Sequence, residues 1–442
     1  MQLTIHRGAN EIGGSCVEIE TAGSRLLIDF GMPLVNKKRE PFDSKILQDK
    51  TLEELKESRL LPGIPGLYKD ETRAVDAILI SHSHLDHYGF LKYVHPDIPI
   101  YVSEGAQHLI KISDIFTPAK VGPINSRVLN KEEKLAIGDV TVTPYLVDHS
   151  AFDARAYLIE AEGKRLFYSG DFRGHGRKSM LFKEMINKPP ENIDCLLMEG
   201  STIGQERQIY ENEEAVQRRI SKILRAAKNI TFIFTSSQNI DRLVSAYKAC
   251  LRTGAIFVMD IYTAFVLDNL RKISVNIPQF DWRNIRIMFQ RYHADRLAEA
   301  GYDDLLLVYK RSKIEISEVN QKKGKILMLA RDNSLFPNTL KEIDNPQGAK
   351  IIYSLWEGYL TDKFKTYCRE NGLEIEIVHT SGHATLEDLQ AFAKALKPKT
   401  LIPIHTFEAE RFPTLFDNVR LLKDGEALIL KEIGDRSEGA TS

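Results

Sequence analysis

The sequence predicts an α/β protein: a sheet-dominated first half, a doubly wound parallel sheet in the middle, and a return to short strands near the end. Three observations predict it. Short runs rich in β-branched and aromatic residues, bounded by Gly, Asp, Ser or Pro, recur up to Met198. After Ser201, continuously apolar strands alternate with helix-period segments, the pattern of a parallel sheet covered on both faces. Beyond Gly372 the short strands resume.

In chain order, strands are expected at 25–30, 77–80, 98–102, 140–143, 156–159, 165–168 and 195–198, with helices at 51–58 and 105–114. The stretch 33–70 reads as a long polar surface insertion with one short helix, carrying the charge run Lys37-Lys38-Arg39-Glu40. The middle gives a helix at 210–228, strands at 230–235 and 255–259 around a helix at 240–252, then strands at 326–329 and 349–353. Strands at 374–378 and 401–404 flank a helix at 386–396, and the polar tail 435–442 is expected to fray. The division expected is 1–200, 201–372 and 373–442, with the first and last pieces forming one unit.

The composition sets bounds. With 442 residues, 43% hydrophobic and 27% charged, the chain is a soluble globular protein with a sizeable core. A net charge of −1 does not announce a nucleic-acid ligand, which would need a local basic groove or metal ions to hold it. Cys16, Cys195, Cys250 and Cys368 are isolated, form no C-x-x-C pair and are expected to be buried apolar groups. The N-terminus lacks a charged segment followed by an apolar one, and no apolar run is long enough to span a membrane. The expectation is a cytoplasmic protein with no membrane contact; a homo-oligomer is left open.

The chemistry concentrates in His82-x-His84-x-Asp86-His87, at the end of the strand 77–80. Imidazole and carboxylate together suit zinc, and also manganese or iron. His82 and His84 point the same way in an extended loop, and Asp86 and His87 can face a second ion about 3.5–4 Å away. A histidine-rich surface loop is the plain alternative. Three strand ends downstream supply what such a pair of ions would still need: His149 after Val147-Asp148, Asp171 after Tyr168-Ser169-Gly170, and His405 after Ile402-Pro403-Ile404. The set expected is His82, His84 and His149 on one ion, Asp86, His87 and His405 on the other, with Asp171 bridging.

With these residues in place, the chain resembles the metallo-β-lactamase superfamily over nearly its whole length. That resemblance implies an αββα sandwich. It makes Asp29, in Leu27-Ile28-Asp29-Phe30-Gly31, a residue that supports the site from behind rather than a ligand. The insertion resembles the β-CASP branch, whose members cut nucleic acids, and implies a doubly wound β-CASP domain over 201–372. Glu199 in Met198-Glu199-Gly200-Ser201-Thr202 matches that branch's acidic motif A. His383 in Thr380-Ser381-Gly382-His383-Ala384 matches motif B, and His405 matches motif C in the histidine form seen in RNA-directed members. Thr235 to Arg242 resembles a segment that holds the RNA backbone in the ribonuclease J members. Two departures stand out. His405 is followed by Thr406-Phe407-Glu408 instead of the usual His-Gly-Glu, and the 37 residues after His405 leave no room for the extra C-terminal domain of ribonuclease J.

The resemblance implies a metal-dependent ribonuclease acting on single-stranded RNA. Two divalent ions, zinc first and manganese second, activate a water for in-line attack on phosphorus, with Asp86 or Asp171 accepting its proton. His383 is the expected general acid and Glu199 its orienting partner. Ser236, Ser237, Arg242, Ser381 and Gly382 are expected to cradle a backbone phosphate, against ordinary helix capping as the alternative. A hydrolase of a small ester, thioester or phosphodiester is the second reading; small-molecule members of the superfamily lack the inserted domain.

Overall fold

The computed structural model describes residues 1–36, 40–131, 133–205 and 210–430; the charge run at 37–39 and the tail at 435–442 lie outside the described residues. Two mixed sheets face each other. The first has seven strands in the spatial order Ala427–Ile429, Gln2–Arg7, Cys16–Glu20, Arg25–Ile28, Ala77–Leu79, Ile100–Val102 and Ser126–Val128. The second has six, in the order Thr400–Ile404, Cys195–Glu199, Lys164–Tyr168, Arg155–Ala161, Val140–Leu146 and Leu135–Ile137.

The period of two along these strands builds three apolar layers. Leu3, Ile5, Val17, Ile19, Ile28 and Leu79 of the first sheet meet Val142, Tyr157, Ile159, Leu166, Leu197 and Ile402 of the second. On the outer face of the first sheet, Leu27 and Ile78 pack with Leu55, Ala106 and Ile110 of the helices Leu52–Glu57 and Glu104–Phe116. On the outer face of the second, Phe167, Leu196 and Met198 pack with Met185, Leu389 and Phe392 of Ser179–Asn187 and Leu386–Leu396. The result is the αββα sandwich expected.

The third sheet is wholly parallel. Its six strands run Ile285–Met288, Ile256–Asp260, Ile326–Ala330, Thr231–Phe234, Lys350–Tyr353 and Glu374–Ile377. Helix Glu104–Phe116 of the sandwich contributes Leu109, Ile112 and Phe116 to the core on one face of this sheet, which fastens the inserted unit to the sandwich.

Three details differ from the sequence reading. Glu374–Ile377, expected to open the last piece of the sandwich at 373, pairs in parallel with Lys350–Tyr353 as an edge strand of the inserted sheet. Its Glu-Ile-Glu-Ile alternation fits a half-buried edge, and we propose that the return to the sandwich comes after Val378. The stretch 33–70 is not a detached surface insertion: Leu47, Leu55, Leu61, Ile64, Leu67 and Tyr68 are buried against the first sheet and form much of its helical layer. The strands Gln2–Arg7 and Cys16–Glu20 were not anticipated, although Leu3 and Ile5 alternate inward as the pleat requires. All four cysteines are buried and free. Among the described residues, no helix is long and apolar enough to cross a membrane.

Candidate metal centre

The candidate residues collect at one edge of the sandwich because the strands that deliver them run in the same direction. Lys164–Tyr168 is parallel to Cys195–Glu199, which is parallel to Thr400–Ile404, and Val140–Leu146 lies two antiparallel steps away and so points the same way. Asp171, Glu199, His405 and His149 therefore emerge side by side. From the opposite sheet, Arg25–Ile28 and the parallel Ala77–Leu79 bring Asp29 and the run His82 to His87.

That run begins extended at His84 and then turns into the short helix Leu85–Tyr88. The preceding strand end clasps the turn. Phe30 N–H donates to the His87 carbonyl (2.8 Å) and Met32 N–H to the Leu85 carbonyl (3.0 Å). Gly31 permits this approach: a Cβ there would lie 1.6 Å from the Asp86 carbonyl oxygen.

Two trios of donor atoms result. His82 Nε2 lies 3.1 Å from His84 Nδ1, which lies 3.3 Å from His149 Nε2. His149 Nδ1–H donates to the Gly382 carbonyl (2.6 Å), which leaves Nε2 bearing the lone pair. In a tetrahedral zinc site with bonds of about 2.1 Å, ligand atoms lie about 3.4 Å apart. Asp86, His87 and His405 form the second trio, each offering a ligand atom within 4.8 Å of the others. Asp171 Oδ2 sits between the two: it is 3.6 Å from His82 Nε2, 3.2 Å from His87 Nε2 and 3.6 Å from His405 Nε2.

Whether these groups fit a cation is decided by what they lack. His87 Nε2, His405 Nε2 and Asp171 Oδ2 are buried with no hydrogen-bond partner. Orphaned buried polar atoms are costly, and three aimed at one spot call for a positive charge. Burial holds the imidazoles of His82 and His149 well below their ordinary range and pushes His84 down to about 4, so all three are neutral and able to ligate. For Asp171, burial favours the acid, but the imidazoles of His405, His87 and His383 outweigh it and hold the carboxyl well below its usual range.

Asp29 stands behind the cluster, fully buried. Its Oδ2 accepts from His87 Nδ1 (2.8 Å), Ser81 Oγ (2.8 Å) and Tyr168 Oη (2.7 Å), and its Oδ1 accepts from Ser81 N–H (2.7 Å). It does this at a φ of +62°, a conformation aspartate tolerates better than most residues. Replacing Asp29 with Ala takes away the acceptor of His87 Nδ1, Tyr168 Oη and the Ser81 N–H. The expected result is a 10- to 100-fold loss of metal affinity, roughly, in competition with a chelating dye. An unchanged affinity would show that His87 needs no carboxylate behind it.

Glu199 and His383 are brought together across 184 positions of sequence: His383 Nδ1 lies 3.0 Å from Glu199 Oε2 and 3.8 Å from Asp171 Oδ2. Glu199 also accepts from Phe172 N–H (2.9 Å) and Ser201 Oγ–H (2.8 Å). Burial lowers the His383 pKa, but the carboxylates of Glu199 and Asp171 outweigh it and raise it to about 9. Added cationic charge at the cluster would draw it back down.

Two residues of the expected phosphate cradle, Arg242 and Ser237, are committed to partners within the protein. Arg242 is fully buried. Its guanidinium donates to both Glu213 carboxylate oxygens, to the Ser354 carbonyl (2.9 Å) and to the Thr380 carbonyl (3.1 Å), so no donor is left for a phosphate. Ser237 is buried and paired with Thr263 Oγ1 (2.6 Å) and Arg331. At Ser381 and Gly382 the carbonyls face inward, to Arg173 (2.8 Å) and His149, and Ser381 Oγ accepts from His383 N–H (3.0 Å). The helix start nearby is capped by Thr385, whose Oγ1 accepts from Asp388 N–H (3.1 Å). Gly382 is needed for packing, because a Cβ there would meet Ser150 Oγ at 2.3 Å. Of the five, Ser236 alone is exposed.

Sequence reasoning missed the group that ties these segments together. Arg173, fully buried, reaches Asp148 (3.3 Å), Asp241 (2.6 Å), the Ser381 carbonyl (2.8 Å) and Glu213 (3.7 Å). It thereby joins the loop before His149, the loop after Asp171, the turn before His383 and two helices of the inserted unit. The signal in the sequence is an arginine two residues after Asp171.

Comparisons with known proteins fit this geometry. Residues 49–236 match the Beta-lactamase superfamily domain, and residues 371–411 match the Zn-dependent metallo-hydrolase RNA specificity domain. The chain is 22% identical to a protein named Ribonuclease J from Helicobacter pylori, over 99% of this chain and 63% of that protein. It is 25% identical to an RNase J-like protein from Methanocaldococcus jannaschii, over 93% of each. It thus spans less than two thirds of the length of the Helicobacter relative. A solved structure of a protein of unknown function from Enterococcus faecalis V583 superimposes with a TM-score of 0.77, at 21% identity, over 97% of this chain and 99% of that one. The donor set and these matches together make the cluster a divalent-metal site.

Proposed function

We propose that this chain, which belongs to the β-CASP, ribonuclease J-like branch of the metallo-β-lactamase superfamily, is a metal-dependent ribonuclease that hydrolyses phosphodiester bonds of single-stranded RNA. The observation that carries the reading is the buried Asp171 oxygen flanked by two donor trios, with His383, held by Glu199, beside them.

In this reading His82, His84 and His149 would hold one divalent ion, Asp86, His87 and His405 a second, and Asp171 would touch both. Zinc is the ion we assign from the imidazole-rich set, with manganese the alternative to test. Two such ions, when bound, lower the pKa of a water toward neutrality and neutralise phosphate oxygens. The chain's own groups do the rest. The Asp86 carboxylate accepts the proton of the attacking water. His383, held by Glu199, presents a proton to the leaving oxygen, the assignment expected of an imidazolium at a cleft wall. Ser236, exposed just before the helix Ile240–Thr253, and the amides of the Ser381-Gly382 turn are the proposed contacts to a backbone phosphate.

The test uses labelled single-stranded RNA bearing a 5′ monophosphate, triphosphate or hydroxyl, with zinc or manganese supplied. Wild type is expected to cleave, to stop when a chelator strips the metal, and to recover when it is restored. His84→Ala is expected to lose at least about 100-fold in rate while its circular dichroism is unchanged. Cleavage of none of the three RNAs, or His84→Ala cutting as well as wild type, overturns the reading; turnover of a small ester in their place would favour the other class of substrate.

A further inference from the structure

Between Tyr353 and Leu360 the inserted sheet sends out a loop that exposes two large aromatic rings. Trp356 is 53% exposed and Tyr359 52%, and their rings meet edge to face with centroids 5.2 Å apart and planes at 89°. Among the described residues, no other pair of aromatic rings in contact has both members exposed. Leaving two such rings in water forgoes their burial, which a surface loop has no structural reason to do.

The loop is not slack. Ser354 is buried: its N–H donates to the Phe234 carbonyl (2.9 Å), and its own carbonyl accepts from Arg242 (2.9 Å). At the other end Leu360 is buried in the apolar core of the inserted unit. Between them a 3₁₀ turn is closed by Tyr359 N–H to the Trp356 carbonyl (3.1 Å) and Leu360 N–H to the Glu357 carbonyl (2.9 Å). Gly358 lets the indole lie down on the loop, since a Cβ there would touch the six-membered ring at 2.4 Å. One side of the indole is therefore backed by its own loop.

The loop also sits beside the centre. Ser354 Oγ donates to the Val378 carbonyl (2.5 Å), and Val378 leads through Thr380 to Ser381 and His383. Arg242 also joins the Ser354 carbonyl to the Thr380 carbonyl, three residues before His383.

We propose that Trp356 and Tyr359 form a stacking platform for bases of a single-stranded RNA entering the metal centre. This rests on the ribonuclease reading above and adds to it how the strand is held. Flat rings offer every base a π-face without reading its edge, which suits a protein of net charge −1 that cannot depend on a basic surface alone.

The test needs no cleavage. In a Trp282→Phe protein Trp356 is the remaining tryptophan. Its fluorescence is followed as a short single-stranded RNA with hydrolysis-resistant phosphorothioate linkages is added, and again with an abasic version of the same strand. The base-bearing strand is expected to quench the indole and to bind roughly tenfold more tightly than the abasic one. Trp356→Ala should erase that preference and Trp356→Phe keep most of it; Gly358→Ala, which displaces the indole, should weaken the quench. Equal affinity for the two strands with an unquenched indole overturns the platform. If wild type cleaves RNA without this preference, the platform falls alone; if the preference is present but no RNA is cleaved, the ribonuclease reading falls and the platform stands.

Discussion

On the two-ion ribonuclease reading proposed above, Asp171→Asn is expected to bind at least one ion fewer per chain than wild type and to slow RNA cleavage by at least about a thousandfold, with the fold retained. No other side chain touches as much of the centre. Its Oδ2 lies within 3.8 Å of nitrogen atoms on His82, His87, His405 and His383, and it has no other partner. Asparagine keeps the volume but removes the charge. Whichever way the amide faces, Asp86 is then the one carboxylate left in the two donor trios. Asparagine keeps the packing of the centre; what the change loses is the carboxylate's interaction with the imidazoles of His405, His87 and His383, which outweighs its burial in the folded chain. Elemental analysis of the purified variant reads the first effect, single-turnover cleavage the second and thermal melting the third. A variant that keeps two ions and cleaves within tenfold of wild type would remove Asp171 from between the ions.

The residues of this centre were legible because each had to be a particular chemical type at a particular place. A ligating imidazole or carboxylate cannot be exchanged freely, and strand ends announce themselves by the apolar run before them. His82 to His87, His149, Asp171 and His405 all follow that rule, and the structure brings their donor atoms together. Asp29, one residue beyond Arg25–Ile28, was assigned its role only through the family resemblance. What lay beyond reach was the role of charged residues whose partners are distant in sequence. Arg242 follows a serine-rich turn at a helix start, which looks like a phosphate site, yet its partner is Glu213, twenty-nine positions earlier. Ser237 turns away from the centre because Arg331, ninety-four positions later, draws it into a network with Asp260 and Thr263. In a sequence, a buried arginine and a solvated one look alike; burial is a property of the packed sheet behind them. The strand Glu374–Ile377 was misplaced for a related reason, since period-two alternation identifies an edge strand without saying which sheet it edges.

That same hidden network sets the stability of the join between sandwich and insertion, and it yields a large effect away from the metals. Arg173→Met is expected to lower stability by about 3–5 kcal/mol at pH 7, because it leaves Asp148, Asp241 and Glu213 buried around a neutral side chain. It also releases the Ser381 carbonyl two residues before His383, so cleavage should fall while the metal ligands remain in place. The pH dependence identifies the cause. Burial raises the Glu213 carboxyl, but Arg242 and Arg173 outweigh it and lower its pKa to about 2. A carboxyl depressed in the folded state contributes stability that is complete above its unfolded value of about 4.3 and is lost as pH falls through the folded one. The gap between wild type and Arg173→Met should therefore be widest above about pH 5 and close as the pH approaches 2. Urea midpoints measured at about pH 7, 5 and 3 read it directly. A gap that stays constant or widens in acid would mean that Arg173 acts through packing alone, because only the loss of its charge couples the deficit to the protonation of the carboxylates around it.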